Sequence, residues 1–201
     1  MPKANADHLK SQMRAVIFTD ASNTTADSEP NVKLKDYFQG GYLVIKAIEE
    51  ELSDHFDTDL WILLDNNRVV NGNSNVADLS GNQVQSGGPS RNPNETSQEL
   101  VDRVEGSDVV IFALQSSSFQ QFVVDNWNDL VDVAKPGSVW CLGGARSLLD
   151  ALDFGYLRNK GCNVLTYQRV GVARVDRETR EELFQAAARY REGGPTGGEQ
   201  T

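Results

Sequence analysis

The sequence predicts a three-layer α/β sandwich, in which helices cover both faces of a doubly wound, mostly parallel five-strand sheet. Three observations lead there. Short apolar, β-branched runs recur at residues 14–19, 59–64, 108–114, 138–143 and 163–175. Most are continuous rather than alternating, the pattern of strands buried on both faces. Stretches with helical spacing separate them, so strand and helix alternate along the whole chain. With right-handed crossovers, this order gives a Rossmann-like or flavodoxin-like domain.

The elements follow in order. RAVIFT (14–19) is strand one, and the turn-rich DASNTTADSEPN follows it. Residues 34–56 place Leu34, Phe38, Leu43, Ile45, Ile48 and Leu52 roughly on one helical face, with Gly40-Gly41 as a weak point. DLWILL (59–64) is strand two. Residues 65–97 read as one long loop rich in Asn, Gly and Ser, with Val69, Val70 and Val76 suited to a short hairpin around Asn71-Gly72. A short helix covers 98–106 with Ser97 as its N-cap. DVVIFAL (108–114) is strand three. Ser116 to Ser118 open a helix that runs to Val131 and stops at Lys135-Pro136-Gly137. SVWCLG (138–143) is strand four, and 144–161 is a helix broken near Gly155. Residues 163–175 form strand five, bent at Gly171, and Asp176 caps a last helix over 177–192. Trp61, Trp127 and Trp140 each lie in an apolar run and read as core. The organisation is therefore a flexible segment 1–13, one domain 14–192 and a flexible tail 193–201.

Composition bounds the function. The chain carries 29 acidic against 19 basic residues, a formal net charge of -10. Its 17 Asp against 7 Lys fit a salt-loving archaeon, or equally an ordinary acidic cytoplasmic protein. In both cases the surface field repels nucleic acid overall, so any phosphate contact is local. No run of apolar residues is long enough to span a bilayer, and residues 1–13 lack the apolar middle of a signal peptide, so a cytoplasmic location is expected. Cys141 and Cys162 are expected as reduced core thiols.

In an open parallel sheet, ligands bind outside the carboxyl ends of the strands. That rule selects Asp20, Ser22 and Thr24 after strand one, Asp65 after strand two, Ser116 after strand three, and Gly143, Gly144 and Arg146 after strand four. Helix starts near Ser116 and Gly144 would offer free amides to an anion, with Arg146 able to fork onto it. Asp20 and Asp65, at the ends of adjacent runs, would suit a magnesium ion.

Four groups of residues carry further readings. VWCLGGARS resembles the nucleophile elbow of class I glutamine amidotransferases, which implies Cys141 as a thiolate nucleophile. Val139 stands where that elbow has glycine, and both histidines, His8 and His55, lie upstream. The plain reading of Cys141 is a buried small hydrophobe. Asp20, Ser22 and Thr24 resemble the metal motif of von Willebrand factor A domains, implying a hard cation; an Asx or ST turn explains the same residues. The alternation from Tyr167 to Arg174 suggests an edge strand that meets solvent or a partner. Finally, the element order of residues 14–150 is similar to DUF6884 and YaaA-like α/β domains, which implies a place in nucleic-acid metabolism or defence.

Two functional expectations result. One is an intracellular domain that binds a nucleotide-like or phosphorylated small molecule at the strand carboxyl edge. The other is a non-catalytic module with a protein partner. The acidic composition generates a test of its own. A halophilic surface predicts a Tm that keeps rising as KCl goes from low to molar levels, well past the range where Debye screening saturates. A flat response at high salt identifies an ordinary acidic protein.

Overall fold

A computed structural model describes residues 13–21, 32–64, 68–78, 93–169 and 175–193. The fold is α/β, as the apolar runs require, with six strands among the described residues rather than the expected five. They are β1 (Arg14–Asp20), β2 (Asp57–Leu64), β3 (Arg68–Asn71), β4 (Val109–Ala113), β5 (Val139–Gly144) and β6 (Asn163–Gln168). The sheet order is β3-β2-β1-β4-β5-β6; β3 is antiparallel to β2 and every other pairing is parallel. The five parallel strands thus take the flavodoxin-like order 2-1-3-4-5.

The order reverses at β1. Connections leave it toward β2 in one direction and toward β4, β5 and β6 in the other. A single crossover hand then sends the first helices to one face and the middle ones to the opposite face. The cores obey this. Ile17, Ile62, Ile111 and Cys141 pack with Tyr42, Ile45 and Ile48 of α2 (Tyr42–Ser53) and Leu183 of α8 (Arg177–Gly193). Phe18, Leu63, Phe112 and Trp140 point the other way. They meet α3 (Pro93–Val104), α4 (Ser117–Asp125), α5 (Trp127–Asp132), α6 (Arg146–Ala151) and α7 (Gly155–Asn159) through Leu100, Val123, Leu130, Leu148 and Leu157. All three tryptophans are buried, and Phe18, Phe112, Trp140 and Trp127 form a chain of ring contacts at 4.8, 6.4 and 5.9 Å between centroids.

Several expected boundaries shift. The helix over 34–56 splits into α1 (Leu34–Tyr37) and α2, because Phe38 is extended and Gly40 takes a positive φ of 70°. The expected loop 65–97 is shorter. Val69 and Val70 pair with β2, and α3 starts at Pro93, whose fixed φ suits a first turn. Ser97 therefore lies inside α3 and is not its N-cap. The expected hairpin turn at Asn71-Gly72 instead carries the chain out of β3 onto α1. Gly72 O accepts from Lys35 N at 2.9 Å and Ser74 O from Leu34 N at 2.8 Å. The helix expected to run through to Val131 breaks at Asn126, whose side-chain amide donates to Phe122 O at 2.7 Å. Strand five ends as β6 at Gln168; its expected extension over 170–174 lies outside the described residues, as do segments 1–12 and 194–201. Asp176 caps α8 as expected, its carboxylate accepting from Thr179 N at 2.8 Å and Thr179 Oγ1 at 2.7 Å.

The amino-terminal edge of the sheet is fastened by Asp108, 1% exposed, just before β4. Its Oδ2 accepts from Arg14 N of β1 at 2.8 Å, and its Oδ1 from Lys135 Nζ at 2.6 Å and from the Tyr190 hydroxyl of α8. Burial, and then the bond to Asp108, push the Tyr190 phenol up from 10.0 to about 12. A raised native pKa means the contribution is fully present below pH 10.0 and lost as the pH climbs to about 12. Tyr190→Phe is therefore expected to cost about 1.5 kcal/mol at neutral pH, the scale of a hydrogen bond to a charged group. Urea melts should show the gap from wild type narrowing above pH 10.0. A gap independent of pH would show that this hydroxyl does not bond Asp108.

Candidate functional site

The switch point lies between the carboxyl ends of β1 and β4, where the strand order reverses. β1 and β4 run parallel and in register from Ala15↔Val109 to Thr19↔Ala113, so Asp20 and the Leu114–Ser116 turn emerge side by side. Thr19 Oγ1 donates to Ala113 O at 2.9 Å. Asp20 alternates to the other face and is 3% exposed. Its Oδ2 accepts from Gln115 N at 2.6 Å and from Ser116 N. A carboxylate of the chain itself thus answers two amides that the sequence reading offered to a ligand. Ser116 takes the extended N-cap conformation of α4, but its side chain makes no capping bond to the helix. Asp20 supplies the negative end that this helix start attracts.

One strand further along, β5 reaches Gly144, and Ala145 rather than Gly144 is the N-cap of α6. Both glycines leave room for neighbouring side chains. A Cβ on Gly143 would lie 1.7 Å from the Tyr167 ring, which covers it from β6. A Cβ on Gly144 would lie 2.7 Å from Leu148 and 3.2 Å from Gln120 Oε1. Gln120 is 8% exposed and spans the two turns: its Nε2 donates to Gln115 O at 3.2 Å, and its Oε1 accepts from Ala145 N at 3.0 Å. Arg146 opens α6 on this same edge. Its side chain is 78% exposed and meets Asp150 at 3.6 Å, a solvated pair that costs little to release.

Of the residues selected from sequence, Asp20, Ser116, Gly143, Gly144 and Arg146 follow or end parallel strands at one edge of the sheet. Ser22, Thr24 and Asp65 lie outside the described residues, and with them the magnesium pair and the von Willebrand-type motif. Among the described residues no group of three or more His, Cys, Asp or Glu is placed to hold a metal ion. Gln120 escaped the sequence reading. The available signal was a polar residue on the apolar stripe shared with Val123 and Trp127. Hollows of about 420 and 430 Å³ flank α5, but they share no residue with this edge and are lined by Asp129 and Asp132, a poor seat for an anion.

Cys141 takes the place that the plain reading gives it, a buried small hydrophobe, rather than that of an exposed elbow thiolate. Cys141 sits in the middle of β5, three residues before the strand ends, and is 0% exposed. Burial first, then Asp176 and Glu182, push its thiol up to about 12. A nucleophile needs the opposite environment. Cys162 is also buried, and both cysteines are unpaired.

No family model matches the chain, and no curated protein matches it. A solved structure titled as the CurK enoyl reductase aligns with 92% of this chain at 10% identity and a TM-score of 0.36. The chain spans 45% of that protein's length. Among the described residues, no helix is long and apolar enough to cross a membrane.

The burial of both thiols sets an expected outcome. A disulfide exchange reagent at neutral pH should label neither Cys141 nor Cys162 in the native protein and both in denaturant. Rapid stoichiometric native labelling of Cys141 would restore the nucleophile reading.

Proposed function

We propose that this domain binds a nucleotide-like or other phosphorylated ligand, inside the cell, at the carboxyl edge of its sheet over the β1–β4 switch point. One observation carries the reading: the strand order reverses there, the point at which open parallel sheets bind their ligands. Two features support an anionic ligand. The first turn of α4, residues 117–119, faces its amino end toward this edge, beyond the two amides held by Asp20. Arg146 stands on the same edge with an exposed guanidinium. Asp20 then has a positioning role, holding the β4–α4 turn while leaving the amides of the helix proper to the ligand. The likeness of element order to DUF6884 and YaaA-like domains supports a setting in nucleic-acid metabolism or defence.

A second reading, a non-catalytic module that meets a protein partner, is favoured by the amides of Gln115 and Ser116 being answered within the chain. Calorimetric titration with pyrophosphate, ATP and FMN separates the two. Binding of at least one is expected, and Arg146→Ala should weaken it by about 1.5–3 kcal/mol, the scale of a charge-assisted hydrogen bond, without lowering Tm. No binding of any of the three at millimolar concentration would overturn the ligand reading in favour of the module.

A further inference from the structure

We infer that Asp20 and Gln120 are paired positioning residues that make the carboxyl ends of β1, β4 and β5 one coupled rim, so that loosening any one loop loosens the others. The inference deepens the ligand reading by naming how that edge is organised, and it rests on that reading only for its purpose. The key is a single peptide group. The carbonyl of Gln115 and the amide N–H of Ser116 belong to the same peptide plane. Gln120 Nε2 donates to its oxygen at 3.2 Å, and Asp20 Oδ2 accepts from its N–H. A peptide bonded at both ends is polarised in one direction, and each bond strengthens the other. The relay then continues outward at both ends. Asp20 is the last residue of β1 and is 3% exposed. Gln120 turns its oxygen to Ala145 N at 3.0 Å, at the start of the β5–α6 connection.

The side-chain types are specific to this task. The site needs a donor toward a carbonyl and an acceptor toward an N–H from one planar group, which an amide supplies. Glutamate would set an oxygen against the Gln115 carbonyl, and methionine would fill the space with neither bond. Gly144 belongs to the same device, since the place of its missing Cβ lies 3.2 Å from Gln120 Oε1. Gln120 is 8% exposed, so it acts on a ligand only through the turns it holds.

Amide hydrogen exchange of the ligand-free protein, read residue by residue by NMR, tests the coupling through two independent variants. Asp20→Asn does not touch Ala145, yet it should measurably speed exchange of the Ala145 amide, up to the roughly tenfold that one whole hydrogen bond carries. Gln120→Met leaves Asp20 intact, yet it should speed exchange of the Gln115 and Ser116 amides to a similar extent, while core amides of β1 and β4 stay protected. If either variant fails to fold, the other decides alone. Coupling is overturned if Asp20→Asn leaves Ala145 at the wild-type rate, or if Gln120→Met leaves Gln115 and Ser116 at theirs. A parallel arm with pyrophosphate keeps the two proposals apart. Joint added protection of all three amides supports both, whereas wild-type protection unchanged by pyrophosphate counts against the ligand reading and leaves the coupling result standing.

Discussion

A carboxylate taken out of water must find several donors or it becomes a large liability. This domain places one at each end of its central strand pair. Asp108 closes the amino-terminal end of the β1–β4 ladder and Asp20 the carboxyl-terminal end, both almost wholly buried. Their donors come from distant parts of the chain. Asp108 needs β1, the Lys135 turn before β5 and the last helix together. Asp20 needs the turn after β4. Neither carboxylate meets these donors until β1 and β4 lie side by side, so the strand pairing and the electrostatics complete each other.

The layers were legible because they follow from periodicity. A run such as Val109 to Ala113 has no polar face, so helices had to cover both sides. Ile17 and Phe18, adjacent in sequence, lie in different cores for the same reason. What sequence hid was local. Val69 and Val70 were legible as a short strand, but not that they pair with β2 rather than across Asn71-Gly72 with Val76. The helix break at Asn126 depends on a single residue within an otherwise continuous apolar stripe, whereas the one at Phe38–Gly40 falls where Gly40-Gly41 already marked a weak point.

The site shows the same division. The topological rule placed Asp20, Ser116, Gly144 and Arg146 at the strand ends, because parallel strands must finish on one side. It was silent on which amides remained to be used. An aspartate at a strand end reads as a ligand for something outside the chain. Here, however, the register Thr19↔Ala113 brings it within reach of Gln115 and Ser116. That register is a property of the paired strands and of neither alone. Gln120 was hidden for a related reason: its two partners, Gln115 and Ala145, are joined only once β4 and β5 lie together.

The small strand β3 has a consequence of a different kind. From Leu60 to Leu64, β2 offers five successive buried apolar residues. Left at the border of the sheet, that segment would present bare backbone donors and acceptors flanked by Trp, Ile and Leu, the composition from which intermolecular stacks grow. β3 covers it with a strand too short to recruit a neighbour easily, opened by Arg68. Its exit is tied to the start of α1 by the Lys35 to Gly72 and Leu34 to Ser74 hydrogen bonds. The hairpin is therefore a guard against self-association as much as a sixth strand. A chain in which it has not docked exposes that apolar backbone edge to pairing with another copy.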